Sequence, residues 1–300
     1  MTVAAVVLSW NRRDDTLACL RSLSAVTEPE LLTILVDNGS EDGTEEAVRA
    51  EFPAVAVVQT GANLGYAAGN NAGLRLALER GASHVLVLNN DVEVEPGAIG
   101  ALVAEAGRRP DAGALCSKIL FAEPPDLIWF AGATFDPRSG YNGRQRGYRE
   151  HDGPRFEAVT ETDRACGAAM LVPRAVLEQV GLFDAELFLY AEDTDWSLRA
   201  RAAGFRHYVV PASRVRHKVS ASSGGESSPA ALYYDLRNTI VVCERYAPLG
   251  RIGTARRRFV LVASHAAQAL LAGRRREALS ATWAGWRDAR AGRLGRKLGT

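Results

Sequence analysis

The sequence is poor in cysteine and lacks a long apolar run. Its four cysteines, Cys19, Cys116, Cys166 and Cys243, lie far apart, with no CxxC pair and no spacing typical of metal ligands. This pattern favours reduced, mostly buried thiols in a cytoplasmic protein. The longest apolar run of the C-terminal part, 259–271, contains Ser, His and Gln and is too short to span a bilayer.

Several motifs are also missing. No basic segment precedes the first apolar run, so a signal peptide is not predicted. Internal repeats are absent. After the first predicted strand, Ser9-Trp10-Asn11 stands where a dinucleotide-binding protein would carry GxGxxG. A nucleotidyltransferase would carry a Gly-rich loop with basic residues at the same place, so that class is not favoured either.

The composition is that of a soluble globular protein, with 47 % apolar and 24 % charged residues. The net charge of +1 hides an asymmetry. Residues 250–300 carry 12 Lys and Arg against two acids, which leaves 24 against 33 in residues 1–249. An acidic body with a basic tail is therefore predicted, and the tail needs an explanation of its own.

Short apolar runs alternate with helical patterns over the first 120 residues. Unbroken apolar strands separated by helices indicate an α/β fold with a parallel sheet covered on both faces. The predicted strands are Val3–Leu8, Leu32–Val36, Val55–Gln59, His84–Leu88 and Ala114–Leu120, and the predicted helices are Asp14–Leu23, Thr44–Glu51, Asn71–Arg80 and Pro96–Arg108.

Polar clusters follow four of these strands. They are Ser9–Asn11, Asp37–Ser40, Asn63–Gly65 and Asn89–Asp91. In open parallel sheets ligands bind outside the carboxyl ends of the strands. Four such clusters in register predict one site.

The remaining chain is less regular. Residues 121–160 predict a long loop with short antiparallel strands, followed by a strand at Cys166–Val172 and a helix at Arg174–Val180. The Ser- and Gly-rich Ser220–Ser228 is expected to be mobile. Residues 230–300 read as helical. We predict a catalytic and binding domain over 1–225 and a basic helical extension over 226–300.

Each candidate site residue has a structural and a functional interpretation. Asp37 is either an Asx turn or an acceptor for a nucleobase N–H. Asn70, with its neighbour Asn71, either caps a helix or faces a nucleotide. Asp91 is either a helix cap or a ligand for Mg²⁺ or Mn²⁺, which take carboxylates together with substrate phosphates.

Two further sites share this ambiguity. The acids of Glu192-Asp193-Thr194-Asp195 are either an N-cap with first-turn charges, or include a general base. His217 is either an ordinary surface or core residue, or a metal ligand.

Read together, these residues form a recognisable series. It comprises VVLSWNR, LVDNGSEDGT, NLGYAAGNNAG, VLNNDV, CGAAMLVPR, GLFDAELFLYAEDTDWSLRARAAG and RVRHKVS. In this order the chain resembles family 2 glycosyltransferases, closest to bacterial rhamnosyltransferase-like members, over roughly residues 3–240. The resemblance implies a GT-A fold, a Rossmann-like, mostly parallel sheet flanked by helices, here with a C-terminal helical extension.

The resemblance also implies a nucleotide-sugar site. Asp37 would contact the nucleobase of a dTDP- or UDP-sugar donor. The other implied nucleotide-binding residues are Ser9, Trp10, Asn11, Asn63, Asn70 and Asn90.

The family's DxD metal motif corresponds to Asn89-Asn90-Asp91. Since its first acid is Asn here, Asp91 would hold Mg²⁺ or Mn²⁺ largely alone, with His217 as an added ligand near the diphosphate. Asn89 and Asn90 would orient the donor and the loop.

Catalysis is implied at Asp193, the general base, with Glu192 and Asp195 in support. Gly167 would lie beneath the donor sugar and the acceptor. Arg237 would bind a phosphate of donor or acceptor.

The implied reaction is a single displacement that inverts the anomeric centre. The QxxRW motif of processive members is absent, so addition of one sugar is expected. dTDP-rhamnose is the expected donor and a saccharide or lipid-linked saccharide of the cell envelope the expected acceptor. A UDP-sugar donor or a natural-product aglycone is the alternative, and a nucleotide-sugar-binding module without activity is a third.

The basic tail leaves two interpretations open. Its arginines either form a solvated face that covers the acidic catalytic surface, or face anionic lipid, with Trp283 and Trp286 as interfacial anchors. The second would place a cytoplasmic protein on the inner face of the plasma membrane. Nucleic acid is not an expected partner, because no nucleic-acid motif is present and the body is acidic. A homodimer is also considered.

Overall fold

Ten strands form one mixed sheet in the computed structural model, which describes residues 2–26, 29–219 and 228–297. Eight of them run in the order β10-β12-β6-β11-β4-β1-β2-β3, while β5 pairs with β12 and β7 with β6. Strands β8 and β9 form a separate hairpin. The strands are β1 (Val3–Ser9), β2 (Leu31–Asp37), β3 (Ala56–Gln59), β4 (His84–Asn89), β5 (Val92–Val94), β6 (Ala112–Phe121), β7 (Ile128–Phe130), β8 (Ala133–Asp136), β9 (Tyr141–Gln145), β10 (Thr160–Thr162), β11 (Ala169–Pro173) and β12 (Arg206–His217).

The helices divide into two groups. Those of the first group flank the sheet, and the last three pack together at the C-terminal end of the chain. They are α1 (Arg13–Ser24), α2 (Thr44–Glu51), α3 (Gly65–Glu79), α4 (Ala98–Arg108), α5 (Arg174–Val180), α6 (Glu192–Ala202), α7 (Pro229–Tyr246), α8 (Arg251–Leu271) and α9 (Arg275–Arg290).

The strand directions bring the site residues together. β1, β2, β3 and β4 are parallel to one another. β11 is antiparallel to both β4 and β6, and β6 is parallel to β12, so β6 and β12 run in the same direction as β4. The carboxyl ends of six strands and the start of β11 therefore lie along one edge of the sheet, which is where parallel sheets bind ligands.

The apolar runs form the core as expected. Val3 to Val7, Ile34 to Val36 and Val85 to Leu88 are buried, because helices cover both faces of these strands. The predicted bounds of the first four strands agree with the structure to within one residue at each end. The 121–160 segment contains short antiparallel strands, as predicted.

Two predictions about elements need correction. The third helix begins at Gly65, not at Asn71. The twelve-residue β12 was not anticipated. A register shift against β6 between Val210 and Arg214 interrupts it, and the intervening Pro211-Ala212-Ser213 reads as a turn in sequence. The predicted domain boundary at 225 and the predicted mobile segment, apart from Ser228, fall outside the described residues.

Polar contacts join the C-terminal helices to one another and to the rest of the chain. The Tyr233 hydroxyl donates to Asp288 Oδ2 at 2.8 Å, joining α7 to α9. Arg245 at the end of α7 pairs with Asp184. Within residues 2–26, 29–219 and 228–297, none of the helices combines the length and apolarity that crossing a bilayer requires.

Candidate active site

Two adjoining cavities open at the carboxyl edge of the sheet. The smaller, of about 410 Å³, is lined by asparagines and aromatic rings, and we call it the amide cavity. The larger, of about 770 Å³, contains four carboxylates, and we call it the acidic cavity. Tyr66, Asn89 and Leu189 line both.

Asn38 organises the amide cavity, although the sequence did not single it out as a site residue. Its side-chain oxygen accepts from the Leu64 amide at 3.0 Å, and its side-chain nitrogen donates to Asn63 Oδ1 and to the Gly65 carbonyl at 3.2 Å each. Asn63 Oδ1 in turn accepts from the Gly65 amide at 2.9 Å. The loop before α3 is thus fixed against the end of β2.

Gly65 is required where this loop enters the helix. Its φ is +83°, and a Cβ there would lie 2.4 Å from the Phe188 carbonyl oxygen. Any other side chain would therefore displace the 188–191 segment, which forms the wall between the two cavities.

Asp37 is buried at the end of β2, and it satisfies the turn interpretation only in part. Its Oδ1 accepts from the Ser40 amide at 2.8 Å, as in an Asx turn. Its Oδ2 is buried and has no partner among the described residues. A buried carboxylate oxygen without a donor is costly, so this atom is available to a ligand N–H.

The loop after β1 is held by side chains rather than left open. Ser9 Oγ lies 2.8 Å from Thr16 Oγ1, and Asn90 donates to Thr16 Oγ1 at 3.0 Å. The Asn11 side chain accepts from the Glu41 amide at 2.9 Å, which joins the loops after β1 and β2. Trp10 is partly exposed and lines the amide cavity.

Asn70 occupies a different place from the one the sequence suggested. It lies within α3, whose N-cap position is Leu64, so it does not begin the helix. It is fully buried and donates to the Tyr66 carbonyl at 3.0 Å. Its neighbour Asn71 exchanges two hydrogen bonds with the Phe183 backbone, at 2.9 and 3.0 Å. Asn71 therefore anchors the segment before α6.

Asp91 and His217 meet at the floor of the acidic cavity. β12 pairs with β5, which follows Asp91, and this pairing places His217 Nε2 3.0 Å from Asp91 Oδ1. Both side chains are nearly buried. Burial favours a raised pKa at Asp91, but the contact with His217 outweighs it and holds the pKa of Asp91 below its ordinary value. The helix-cap interpretation fails, because the N-cap of α4 is Gly97.

This pair suits a divalent cation that also takes substrate oxygens. Two ligand atoms about 2.1 Å from one cation and at right angles to each other are about 3 Å apart, which is the separation observed. His217 Nδ1 is buried without a partner among the described residues. No group of three or more His, Cys, Asp or Glu in the described part of the chain could hold a metal ion. The protein thus offers few ligands at this site, and further ligands would come from a diphosphate and water.

Trp129 on β7 supports this pair. Its ring packs edge-on against the His217 imidazole, with ring centroids 4.5 Å apart, and it lines the acidic cavity. No motif or periodicity singles out Trp129, because it lies in the segment that was predicted to be mostly loop.

Asp193 lies in the first turn of α6 and faces the acidic cavity. The N-cap is Ala191 and has no side-chain capping bond, so neither Asp193 nor Thr194 caps the helix. Instead, Asp193 Oδ2 accepts from the Gly167 amide at 3.2 Å, and Arg164 lies 3.9 Å away. A carboxylate held by one amide and a guanidinium at a cavity wall can accept a proton from a bound hydroxyl.

Gly167 leaves room for the Tyr66 side chain. A Cβ at this position would lie 2.7 Å from the Tyr66 hydroxyl, which donates to the Gly167 carbonyl at 2.8 Å. The sequence reasoning missed both Tyr66 and Arg164. Arg164 could have been found as a basic residue two positions before the CGAAMLVPR motif.

The two acids that flank Asp193 differ in their surroundings. Glu192 is buried in the cavity wall, and burial, reinforced by the charge of Asp193, raises the pKa of Glu192 well above its ordinary value. Asp195 instead accepts from Tyr246 at 2.9 Å and from Arg199 at 3.0 Å. Asp195 thus joins α6 to α7, and it supports the site by holding α6 in place.

The segment between Phe188 and Ala191 has an unusual backbone. Phe188, Tyr190 and Ala191 all have positive φ, between 64° and 67°, although none is glycine. Such conformations are costly for residues with a side chain and persist only where the surroundings impose them.

Arg237 and Asn238 supply these surroundings. The Asn238 side chain donates to the carbonyls of Leu187, Leu189 and Tyr190 at 2.8–2.9 Å. Arg237 is fully buried and donates to the Leu187 carbonyl at 2.9 Å and the Gly295 carbonyl at 2.7 Å. The prediction that Arg237 binds a phosphate is therefore corrected: its guanidinium already serves backbone carbonyls and an adjacent amide oxygen.

Comparison with known proteins agrees with this architecture. Residues 2–233 match the family model described as glycosyltransferase-like family 2. The chain belongs to this family, and it is a glycosyltransferase.

Individual relatives cover most of the chain. N-acetylglucosaminyl-diphospho-decaprenol L-rhamnosyltransferase of Mycobacterium tuberculosis (strain CDC 1551 / Oshkosh) is 31% identical over 252 residues, which are 76% of this chain and 80% of that protein. The dTDP-rhamnosyl transferase RfbF of Shigella flexneri is 24% identical, over 82% of each chain.

The solved structure of mannosyltransferase PcManGT from Pyrobaculum calidifontis, in complex with GDP-Man and Mn²⁺, superimposes with a TM-score of 0.58 at 16% identity. The superposition covers 96% of this chain and 86% of the PcManGT chain. At this identity the likeness concerns the fold alone. The expected GT-A fold, with its mostly parallel sheet, flanking helices and C-terminal helices, is confirmed.

Proposed function

We propose that this protein is an inverting, metal-dependent glycosyltransferase that adds a single rhamnose from dTDP-rhamnose to an acceptor hydroxyl in cell-envelope synthesis. The observation that carries the proposal is the geometry of the acidic cavity. Asp193, fixed by the Gly167 amide, lines the same cavity as the Asp91–His217 pair.

In this proposal Asp193 is the general base. It takes the proton from the acceptor hydroxyl as that oxygen attacks the anomeric carbon of the donor. The bond between the anomeric carbon and the diphosphate oxygen breaks in the same step. Attack opposite the leaving group inverts the configuration.

Asp91 and His217 would hold the cation beside the donor diphosphate. Mg²⁺ or Mn²⁺ bound there would stabilise the negative charge that develops on the leaving group. The structure of a mannosyltransferase of this fold with Mn²⁺ supports the choice of metal. Activity measured with each ion in turn tests the preference between Mg²⁺ and Mn²⁺.

The amide cavity would receive the nucleotide. Asp37 precedes Asn38, which lines this cavity, and its buried Oδ2 has no hydrogen-bond donor among the described residues. The N3–H of thymine or uracil would supply one. The names of two relatives, one an L-rhamnosyltransferase and one a dTDP-rhamnosyl transferase, support dTDP-rhamnose over a UDP-sugar.

The acceptor would be a lipid-linked saccharide. The mycobacterial relative is named for a diphospho-decaprenol substrate, which supports this class over a natural-product aglycone. Such an acceptor would place the enzyme on the inner face of the plasma membrane. No observation favours a homodimer.

Donor use can be tested by nucleotide release from purified protein. dTDP-rhamnose, UDP-glucose and UDP-N-acetylglucosamine would each be supplied with Mg²⁺, Mn²⁺ or EDTA, in the presence of N-acetylglucosaminyl-diphospho-polyprenol. We expect release of dTDP that requires both the metal and the acceptor, with product of inverted anomeric configuration by NMR. Release of nucleotide from a UDP-sugar but not from dTDP-rhamnose would overturn the donor assignment. Equal activity in EDTA would overturn the metal assignment.

A further inference from the structure

The helix α8 presents apolar side chains to solvent. Ile252 is 88% exposed, Phe259 73%, Leu270 53% and Leu271 86%. Large apolar groups exposed along one helix are unusual on a soluble protein and mark an interaction surface.

Three of these side chains, those of Ile252, Phe259 and Leu270, form a stripe on one side of the helix. At 3.6 residues per turn, positions 252, 259, 263 and 270 lie within about 40° of one another. They are Ile252, Phe259, Ala263 and Leu270, and all are exposed. The opposite side of α8, including Leu261, His265 and Ala269, is buried against the protein. The outward side is thus the apolar one.

Arginines stand at both ends of this stripe. Arg251 and Arg256 lie at its start, and Arg275 and Arg276 follow its end. All four are exposed, and none has an acidic partner among the described residues. Arg274 pairs with Glu277 at 2.9 Å, so the second cluster retains two unpaired cations.

The stripe lies on the helix that borders the acidic cavity. Gln268 of α8 lines that cavity together with Ala231, Leu232 and Asp235 of α7. Leu270 and Leu271 follow Gln268 within one turn. Gln268 lies about 160° around the helix from Ile252 and Leu270, so the stripe and the acidic cavity are on opposite sides of α8.

The charge pattern decides between two occupants. If a second copy of the chain covered the stripe, parallel helices would place each arginine cluster on its own counterpart, and antiparallel helices would place one cluster on the other. Arginine would meet arginine either way, which opposes association. An anionic lipid surface satisfies both the apolar stripe and the arginines.

We propose that the outward face of α8 docks on an anionic membrane surface, with the acidic cavity on the other side of this helix. The lipid-linked acceptor rests on the proposed function, whereas the docking itself does not. Trp283 and Trp286 of α9 are then not the main anchors. Trp286 is packed against Trp283, with ring centroids 4.4 Å apart, and under Arg290, and only Trp283 is largely exposed.

The test is flotation of the full-length protein with vesicles of phosphatidylcholine alone or mixed with phosphatidylglycerol. We expect binding to the anionic vesicles, weaker binding at high salt because exposed charges are screened, and little binding to the neutral ones. Wild-type protein that stays unbound with anionic vesicles would overturn the proposal.

Two double variants separate the apolar and the basic contributions. Phe259→Ser with Leu270→Ser should lower the partition coefficient on the order of tenfold to 100-fold, since both side chains lose their lipid contact. Arg251→Gln with Arg256→Gln should lower it about 30-fold, at about 1 kcal/mol per arginine near an anionic surface. All four side chains are exposed, so the melting temperature should not change.

The matched control is Arg75→Gln in α3 with Arg80→Gln at the C-cap of that helix. It removes the same charge elsewhere and should leave binding unchanged. Trp283→Ser tests the other helix. Loss of binding in Trp283→Ser with none in the α8 variants would reject α8 as the docking element. A concentration-dependent dimer that dissociates in the Phe259/Leu270 variant would show that a second copy covers the stripe.

Because flotation needs no catalysis, it distinguishes failure of docking from failure of the proposed function. Nucleotide release measured with a water-soluble acceptor should be equal in the wild type and in both α8 variants. Release that falls together with flotation would mean that the α8 face acts on the site itself rather than through the membrane.

Discussion

The amide cavity and the acidic cavity share three residues but differ in chemistry. Of the lining residues that the structure describes, only Arg296 is charged in the amide cavity. In the acidic cavity four carboxylates, at Asp91, Glu192, Asp193 and Asp235, face Arg164 and His217. The first can bind a neutral planar group through amides and rings, whereas the second can hold a cation and move a proton.

The two cavities also differ in how they are built. The amide cavity is formed mainly by the ends of β1, β2 and β4 and the loop before α3, all from the first 90 residues. The acidic cavity gathers residues from β4, β7, β12, α6, α7 and α8. Substitutions in the amide cavity should therefore affect nucleotide binding, and those in the acidic cavity should affect turnover.

Asp193→Asn is expected to have the largest effect. Loss of the general base should lower kcat by about 10²–10⁴-fold, while nucleotide affinity stays within a factor of two or so. Steady-state kinetics and calorimetric titration with dTDP measure the two quantities. Asp14→Asn, at a carboxylate with an 88% exposed side chain, is the control and should behave as the wild type. Normal turnover by Asp193→Asn would disprove the assignment.

Asp91→Asn tests the metal site, to which the protein contributes few ligands. The amide keeps the shape but weakens the ligand, so the metal concentration for half-maximal activity should rise on the order of 100-fold. Activity titrated with Mn²⁺ measures it, and Mn²⁺ binding by electron paramagnetic resonance gives a readout without turnover. An unchanged metal response would mean that Asp91 is not a ligand.

Asn238→Ala tests how the wall between the cavities is held. The Leu189 and Tyr190 carbonyls would lose this donor, which should destabilise the protein by about 2–4 kcal/mol. Urea unfolding measures this loss. Because the segment leads into α6, kcat should fall more than nucleotide affinity. A stable variant with unchanged kcat would show that the positive-φ conformation does not depend on this amide.

Asp37→Asn tests the nucleotide site at the end of β2, next to Asn38, which lines the amide cavity. The asparagine oxygen can still accept from Ser40, so the substitution replaces the one unpartnered oxygen. We expect about tenfold weaker dTDP binding, in line with one hydrogen bond to a charged group, and kcat at saturating donor close to that of the wild type. If kcat fell and binding did not, the separation of the two cavities would be wrong.

The smallest effect is expected at His265, which contacts Asp235 of the acidic cavity at 2.9 Å. Burial alone would lower the pKa of His265, but the bond from His265 to Asp235 outweighs it and raises the pKa of His265 above 6.5. As the pH rises through this raised pKa, the folded state loses a stabilising charge pair that is fully present below about pH 6.5.

The melting temperature should therefore fall between pH 6 and pH 8.5 by on the order of 1–3 °C more in the wild type than in His265→Gln. Differential scanning calorimetry at the two pH values measures it. Parallel pH profiles for the two proteins would exclude a contribution from this pair.

Much of the amide cavity could be read from the sequence. Trp10 and Asn63 line it, and Asp37 immediately precedes the lining residue Asn38. All three follow apolar runs, and the ends of parallel strands lie at one edge, so their proximity follows from the strand pattern. Asn70 could not be placed correctly from the sequence. Without a capping signal, the start of α3 at Gly65 was not recognised, and a buried residue inside the helix was taken for its beginning.

The acidic cavity was harder to predict. The family resemblance implied that Asp91 and His217 share a cation, but β12 was not anticipated, so the strand pattern by itself did not indicate that they lie 3.0 Å apart. Arg237 was assigned to a phosphate because a lone arginine does not reveal whether carbonyls already occupy its donors. The exposed apolar side of α8 could not be predicted either. Periodicity identifies an apolar stripe on a helix but does not show whether that stripe faces the protein or the solvent.

The sequence by itself determined the α/β class, the order of the strands along the chain and the family, because apolar periodicity and local motifs are properties of neighbouring residues. Only the tertiary structure decided which carboxylates share a cavity, which arginine is buried and which face of α8 is free. These depend on pairing between strands and helices far apart in the chain, as when His217 is brought to Asp91 and Asn238 to the segment before Asp193.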